Sequence, residues 1–242
     1  MSESSVPHLP PPGEMLLVTD ELGSPADFFL YRSLASHLRT SGKSTKCVIL
    51  FVSGSIQRWK AVLAKSNVNL AQLIGSRAVT FLNLSSTHLV PRDDGATPSL
   101  TPVFDELRDA LGEAKDTLVL VDDLSSLEWM GISSLEVSRF VRAVCSLCRK
   151  LNTSLILRHH IVTPGELDNL LRVLLQLCTY RVDIFPLSSG RSGSVSGQIA
   201  LHLGAGWEER EYRPIPRSKA LLYRLTDASA VFFERGTGAG VL

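Results

Sequence analysis

The stretch that decides the fold is TLVLVDD, residues 117–123, a β-branched and apolar run that ends in two carboxylates. Side chains of a strand point alternately to the two faces of a sheet, so a strand that is apolar at successive positions is buried on both faces. Residues 47–52, which read CVILFV, have the same character. Such strands are typical of a parallel sheet covered by helices, and the sequence therefore predicts an α/β protein.

Strand-like and helix-like segments alternate around this stretch over the first two-thirds of the chain. The predicted strands are residues 15–19, 47–52, 78–84, 117–121 and 153–157. The predicted helices are residues 26–39, 56–74, 103–111, 132–151 and 166–177. From residue 180 the pattern changes to short strands at 180–187, 198–203, 220–226 and 230–234, the last two forming a hairpin. We therefore expect a mostly parallel central sheet with antiparallel strands at its C-terminal side.

One folded domain is expected. The chain has 242 residues, of which 44% are hydrophobic, enough for one α/β core. Residues 1–13, rich in serine and proline, are predicted to form a disordered tail, and residues 14–242 the domain. No apolar stretch reaches the roughly 20 residues that span a bilayer, so a soluble protein without membrane contact is predicted.

Charge and cysteine content limit the compartment and the ligands. The formal net charge of +1 argues against nucleic-acid binding driven by a global basic field. All four cysteines lie in apolar runs, as reduced thiols do, which predicts a cytoplasmic or nuclear protein. Cys145 and Cys148 have the spacing of a metal pair, but they lie within a predicted helix and lack a second ligand pair, which favours core packing. We expect no metal site.

The phosphate-binding loop of nucleoside triphosphatases is missing. In the motif G-x-x-x-x-G-K-[ST], which follows the first strand, backbone amides and the lysine bind the phosphates. Residues 20–25 stand at that position and read DELGSP, with one glycine, no lysine and two carboxylates. The GKST at residues 42–45 follows a helix, and the first glycine of the motif would fall at His37. We therefore expect no cofactor.

Asp122 and Asp123 are the weak candidates for cofactor binding, because Mg²⁺ is held at the end of such a strand in nucleotide-hydrolysing relatives of this fold class. The alternative is that they end a buried strand and cap the following turn. The absence of a phosphate-binding lysine favours this alternative. No spacing suggests a nucleophile with its base, so no catalytic residue is predicted.

Basic residues in loops are candidates for contact with RNA. His159 and His160 are adjacent on a predicted strand end, so they should point to opposite faces and not share one metal ion. The candidates are Arg158, His159, His160, Arg191, Arg213, Arg217 and Lys219.

Two stretches carry a resemblance to a known family. Residues 118–131, LVLVDDLSSLEWMG, resemble a strand, double aspartate and Leu-Ser-x-Leu turn of the sixth subunit of the Elongator complex. Residues 229–242, SAVFFERGTGAGVL, resemble its final strand and its Val-Leu ending. Element order and length are similar over most of the chain after residue 14, whereas residues 55–115 agree only in general pattern.

This resemblance implies a RecA-like three-layer sandwich without nucleotide-binding signatures. It also implies assembly with the fourth and fifth Elongator subunits into a ring of two copies each. In the family that ring binds transfer RNA and hydrolyses ATP, while the catalytic subcomplex of Elongator modifies wobble uridines. The family provides no catalytic residue that could be transferred to this chain, so the resemblance implies a pseudo-ATPase fold and no enzyme activity of its own.

Two other functions remain open from the residues alone. One is an ATPase with a divergent phosphate loop at residues 20–25, and the other is a recombinase-like accessory protein that binds DNA. A partner is expected independently of the family, because the late strands are rich in apolar residues that could leave a strip exposed on the isolated chain. These residues are Leu221, Leu222, Tyr223, Val231, Phe232 and Phe233.

Overall fold

The computed structural model describes residues 9–40, 45–84, 98–112, 116–190, 192–205, 212–227 and 229–235. The strands are β1 Met15–Glu21, β2 Lys46–Phe51, β3 Val79–Asn83, β4 Thr117–Val121, β5 Ser154–Ile161, β6 Tyr180–Phe185, β7 Gly197–Leu203, β8 Leu221–Leu225 and β9 Ala230–Phe233. The helices are α1 Asp27–Thr40, α2 Ile56–Lys65, α3 Leu70–Gly75, α4 Thr101–Leu111, α5 Ser125–Trp129, α6 Ser134–Leu151 and α7 Asn169–Leu177. A 3₁₀ turn at Arg217–Lys219 precedes β8.

The strands form one sheet in the order β3-β2-β4-β5-β1-β6-β7-β8-β9. The first six of these strands pair in parallel, and β7, β8 and β9 continue the sheet antiparallel. The predicted α/β architecture with antiparallel C-terminal strands is therefore confirmed. Because parallel strands end at the same edge, the loops after β1, β4 and β5 meet there.

Each face of the sheet has its own apolar core. On one face, α1, α2 and α3 contribute side chains such as Phe29, Trp59 and Leu70. On the other face, α4, α6 and α7 contribute side chains such as Leu107 and Val141. The two helix layers bury strands that are apolar on both faces, as the strand pattern predicts.

Two predicted helices differ from the observed ones. The helix expected over residues 56–74 is two helices, because Asn67 adopts a left-handed φ of 59° and Asn69 caps α3 by accepting a hydrogen bond from Gln72 N. Leu135 was placed on the apolar face of α6 but is 60% exposed. It lies five residues before Phe140, which corresponds to about 140° around the helix axis.

Further differences lie in the loops and at the chain ends. The short helix α5 stands where the sequence indicated only a turn. Gly13 N donates to Thr153 O, and Pro10 O accepts from Ser154 Oγ at 2.9 Å. These contacts attach residues 9–13 to the domain, so the first contacts precede the predicted boundary at residue 14, whereas residues 1–8 lie outside the described part.

The predicted strip on the late strands is mostly covered. Tyr223 is buried, and of the six apolar residues predicted there only Val231, at 44%, is exposed. No helix within the described ranges combines the length and apolarity that a membrane crossing requires.

Candidate functional site

The loops at the carboxyl ends of the parallel strands bring a cluster of charged side chains together. β1 and β5 are neighbours, and their register places Asp20 beside His160 and Val18 beside Arg158. Asp122 and Asp123 follow β4, which lies on the other side of β5. This edge is where parallel α/β sheets bind their ligands.

Asp20 lies at the N-terminus of α1. Its side chain has no exposed surface, and its Oδ2 accepts a hydrogen bond from Ala26 N at 2.6 Å. Ala26 precedes the first residue of α1, whose free N–H groups and positive dipole end favour an anion. A carboxylate of the chain itself therefore serves as that anion.

Arg158 and His160 surround the Asp20 carboxylate. Arg158 is buried, with Nε 3.8 Å from Asp20 Oδ2 and Nη1 3.0 Å from Asp27 Oδ1. Burial by itself would lower the pKa of Arg158, but the Asp20 and Asp27 carboxylates raise it. His160 Nδ1 lies 2.6 Å from Asp20 Oδ1, and although burial lowers the pKa of His160, Asp20 raises it above its ordinary value. The cluster is a buried network of paired charges.

Asp122 is bound by backbone groups of the loop after β2. Its Oδ1 accepts from Val52 N at 2.7 Å, and its Oδ2 accepts from Gly54 N at 3.2 Å. A Cβ at Gly54 would lie 2.9 Å from Asp122 Oδ2, so the close approach requires glycine. Burial raises the pKa of Asp122 to about 6, and the hydrogen bond from Val52 opposes that rise.

Asp123 accepts hydrogen bonds from the first turn of α5. Its Oδ1 accepts from Ser126 N at 3.2 Å, and its Oδ2 accepts from Ser126 Oγ. His160 Nε2 lies 3.7 Å from the same Oδ2. Asp122 and Asp123 thus follow β4 directly, Asp122 holding the loop after β2 and Asp123 the first turn of α5.

A cavity of about 230 Å³ adjoins this cluster. Its polar walls are Arg158, His160, Asp27 and Asp122, and Arg58 lies at its side with Nη2 3.6 Å from Asp27 Oδ2. Two arginines and one histidine face two carboxylates in this lining. Among the described residues, no lysine lines it.

His159 points away from this cluster, as the alternation of a strand predicts. It is buried, with Nδ1 3.1 Å from Ser125 Oγ and Nε2 2.9 Å from Asp168 Oδ2. Asp168 also caps α7 through Leu171 N. His159 therefore links α5 to the start of α7.

The residues predicted to contact RNA differ in how far their side chains are exposed. Arg158 and His159 are buried, which disfavours direct contact with a polymer in this conformation. Arg217 reaches Glu21 at 3.3 Å and packs over the Phe185 ring. His160 is half-buried, and Arg213 and Lys219 are exposed. Arg191 lies outside the described residues.

Sequence reasoning missed a second charged cluster on β6. Asp183 is buried, accepts a hydrogen bond from Thr19 Oγ1 at 2.5 Å, and pairs with Arg181 and with His202 at 3.1 Å. Burial acts against ionisation, but His202 and Arg181 hold the pKa of Asp183 well below its ordinary value. The i, i+2 spacing of Arg181 and Asp183 could have indicated it, because such residues share a strand face.

The cysteines are buried and distributed through the core. Burial raises the pKa of Cys145 to about 11 and of Cys148 to about 12. Across the described ranges, no group of three or more His, Cys, Asp and Glu side chains is arranged to hold a metal ion.

Known proteins resemble this chain over almost its full length, although no family model matches it. It is 24% identical over 260 residues to Elongator complex protein 6 of Danio rerio, covering 96% of this chain and 94% of that protein. It is 25% identical over 255 residues to Elongator complex protein 6 of Xenopus laevis, covering 95% and 93%. The resemblance to the sixth subunit of the Elongator complex is therefore confirmed, and it extends over nearly the whole chain.

Proposed function

We propose that this chain is a non-catalytic subunit of the Elongator complex. The full-length likeness to two proteins of that name supports membership of the complex. In the finer proposal, the chain joins the fourth and fifth subunits in a hetero-hexameric ring with two copies of each. The ring binds transfer RNA and supports wobble-uridine modification by the catalytic subcomplex, in the cytoplasm and the nucleus.

The observation that carries the non-catalytic role is the position of the Asp20 carboxylate. A nucleotide phosphate would have to displace Asp20 from Ala26 N and leave the Arg158 charge with one carboxylate fewer. It would also approach the buried carboxyl groups of Asp122 and Asp123, and like charges repel. The sequence, with no phosphate-binding lysine, and the paired cluster support a pseudo-ATPase fold.

Exposed apolar side chains in the segments that follow β1, β4 and β5 support a protein partner. Trp129 is 77% exposed, Leu22 73% and Leu135 60%. Met130, Val162 and Leu167 are also exposed and lie in the loops around the ends of β4 and β5. Large exposed apolar side chains are typical of association surfaces, and tryptophan is among the residues that contribute most to binding.

Native mass spectrometry of the chain co-expressed with the fourth and fifth subunits of its own organism tests the proposal. We expect a complex with two copies of each subunit. Trp129→Glu should weaken assembly at least about tenfold, because a buried interface tryptophan is a typical hot spot. Val231→Glu, an exposed apolar position on β9, is the matched control. A wild-type chain that stays a monomer or homo-oligomer would contradict the ring.

Calorimetry of the purified chain with Mg²⁺-ATP tests the pseudo-ATPase role. We expect the dissociation constant for Mg²⁺-ATP to lie above about 1 mM, the weak end of ordinary substrate affinities. Tighter binding would favour the divergent ATPase. A preference for single-stranded DNA over transfer RNA, measured on the assembled complex, would favour the recombinase-like function.

A further inference from the structure

A groove of about 840 Å³ runs along α1 and adjoins the cavity described above, with which it shares Asp27, Tyr31 and Arg58. Its floor is α1 from Phe28 to Arg39, about 16 Å along the helix axis. One wall is α2, and the other is the turn of the β8–β9 hairpin from Leu225 to Ala230. The groove therefore has the length of about three helical turns.

Cations stand along both sides of the groove. Arg32 and Arg39 are seven residues apart on α1, and Arg58 and Lys65 are seven residues apart on α2. Seven residues are two turns, so each helix presents two cations about 10 Å apart on one side. Asp27 and Asp227 are the carboxylates in the lining, so the groove has an excess of positive charge.

Two of these cations remain available to pair with a bound ligand. Arg32 donates to Ala230 O at 3.2 Å and lies over the Phe232 ring, and Arg58 pairs with Asp27. Arg39 and Lys65 are exposed, and neither forms an ion pair with any residue that the structure describes. Both stand at the last turn of their helices, where no carboxylate of the lining neutralises them.

The lining also offers accessible apolar surface. Phe28 and Val62 are half-buried, and Leu225 is 44% exposed. Phe28 stacks on Tyr223 with ring centroids 4.7 Å apart, and Tyr31 is buried edge-on against Trp59. The aromatic rings of the lining are thus packed within the protein, which disfavours single-stranded nucleic acid because such strands bind by stacking bases on exposed rings.

We propose that this groove binds an acidic, amphipathic helix of a partner protein. The apolar face of such a helix would pack on Phe28, Val62 and Leu225, and its carboxylates would meet Arg39 and Lys65. The proposal goes beyond the role in Elongator, since it assigns a surface and the chemistry of its occupant without requiring a particular subunit.

Fluorescence anisotropy with the full chain tests this proposal. The ligand is a labelled synthetic peptide of about 16 residues, with leucines at helical spacing and glutamates on the other face. We expect saturable binding that Arg39→Glu with Lys65→Glu weakens at least about tenfold and that salt weakens as well. Lys60→Glu with Lys150→Glu makes the same charge change at exposed positions outside the groove and should leave the affinity unchanged.

Three results would overturn the proposal. The first is no binding of the peptide, and the second is equal binding of a shuffled peptide with the same composition but no apolar face. The third is a labelled single-stranded RNA that binds more tightly than the peptide and loses that binding in the Arg39/Lys65 variant. Failure of ring assembly with the Elongator subunits would leave these outcomes unaffected.

Discussion

The buried charge cluster makes Arg158 the position at which one substitution should cost the most stability. Arg158→Met keeps the length and most of the volume of the side chain but removes the guanidinium that pairs with Asp20 and Asp27. Asp20 has no exposed surface, so water cannot replace the lost partner.

The magnitude follows from the distances. A unit charge 3.8 Å from Asp20 contributes about 4 kcal/mol at an effective permittivity of 20. Removing one partner from a buried ion pair costs about 3–5 kcal/mol in measured cases. His160 lies 2.6 Å from Asp20 and can take up a proton there, which partly replaces the lost charge. We therefore expect the free energy of unfolding to fall by about 3 kcal/mol.

Urea unfolding at pH 7 measures this loss, and Arg58→Met is its control. The Arg58 side chain is 62% exposed and pairs with Asp27 at 3.6 Å, so its removal should cost less than about 1 kcal/mol. The double variant Asp20→Asn with Arg158→Met should lose less free energy of unfolding than the two single variants together, because each substitution removes the same interaction. A loss below about 1 kcal/mol for Arg158→Met would refute the claim that Asp20 depends on Arg158.

Three further predictions concern other parts of the core. Asp183→Asn should lower the free energy of unfolding at pH 7 by about 3 kcal/mol. Urea unfolding at a series of acid pH values should show that this free energy depends less on pH in the variant. Since the folded pKa of Asp183 is depressed, its contribution is present above the unfolded pKa of about 4 and is lost as the pH falls below it. Gly204→Ala places a Cβ 2.0 Å from Cys178 O and should lower the unfolding temperature, whereas Gly193→Ala, with nothing within 4 Å, should not. Iodoacetamide at pH 8 should leave Cys145 and Cys178 unmodified in the folded chain, because burial raises the pKa of each thiol to about 11; rapid labelling seen by mass spectrometry would contradict this.

The layered architecture could be predicted from the sequence because its signals are local. Residues 47–52 and 117–121 are apolar at successive positions, which requires cover on both faces wherever they pair. The missing phosphate loop was also visible, since the loop is one contiguous motif. The break at Asn67 was missed because a helical apolar pattern continues on both sides of a single left-handed residue.

The charge cluster could not be predicted, because it depends on which strands become neighbours. Asp20 and Arg158 lie far apart in the chain and meet only because β5 inserts between β4 and β1. Loop sequence indicated Arg158 as an exposed candidate for RNA contact, yet its side chain is 5% exposed and neutralises two carboxylates. The sequence by itself determined the layers and showed no phosphate-loop motif, since the period of hydrophobic residues and contiguous motifs are properties of neighbouring residues. Only the tertiary structure decided that Asp20 stands in the anion position at α1, since strand order and side-chain burial are long-range outcomes of packing.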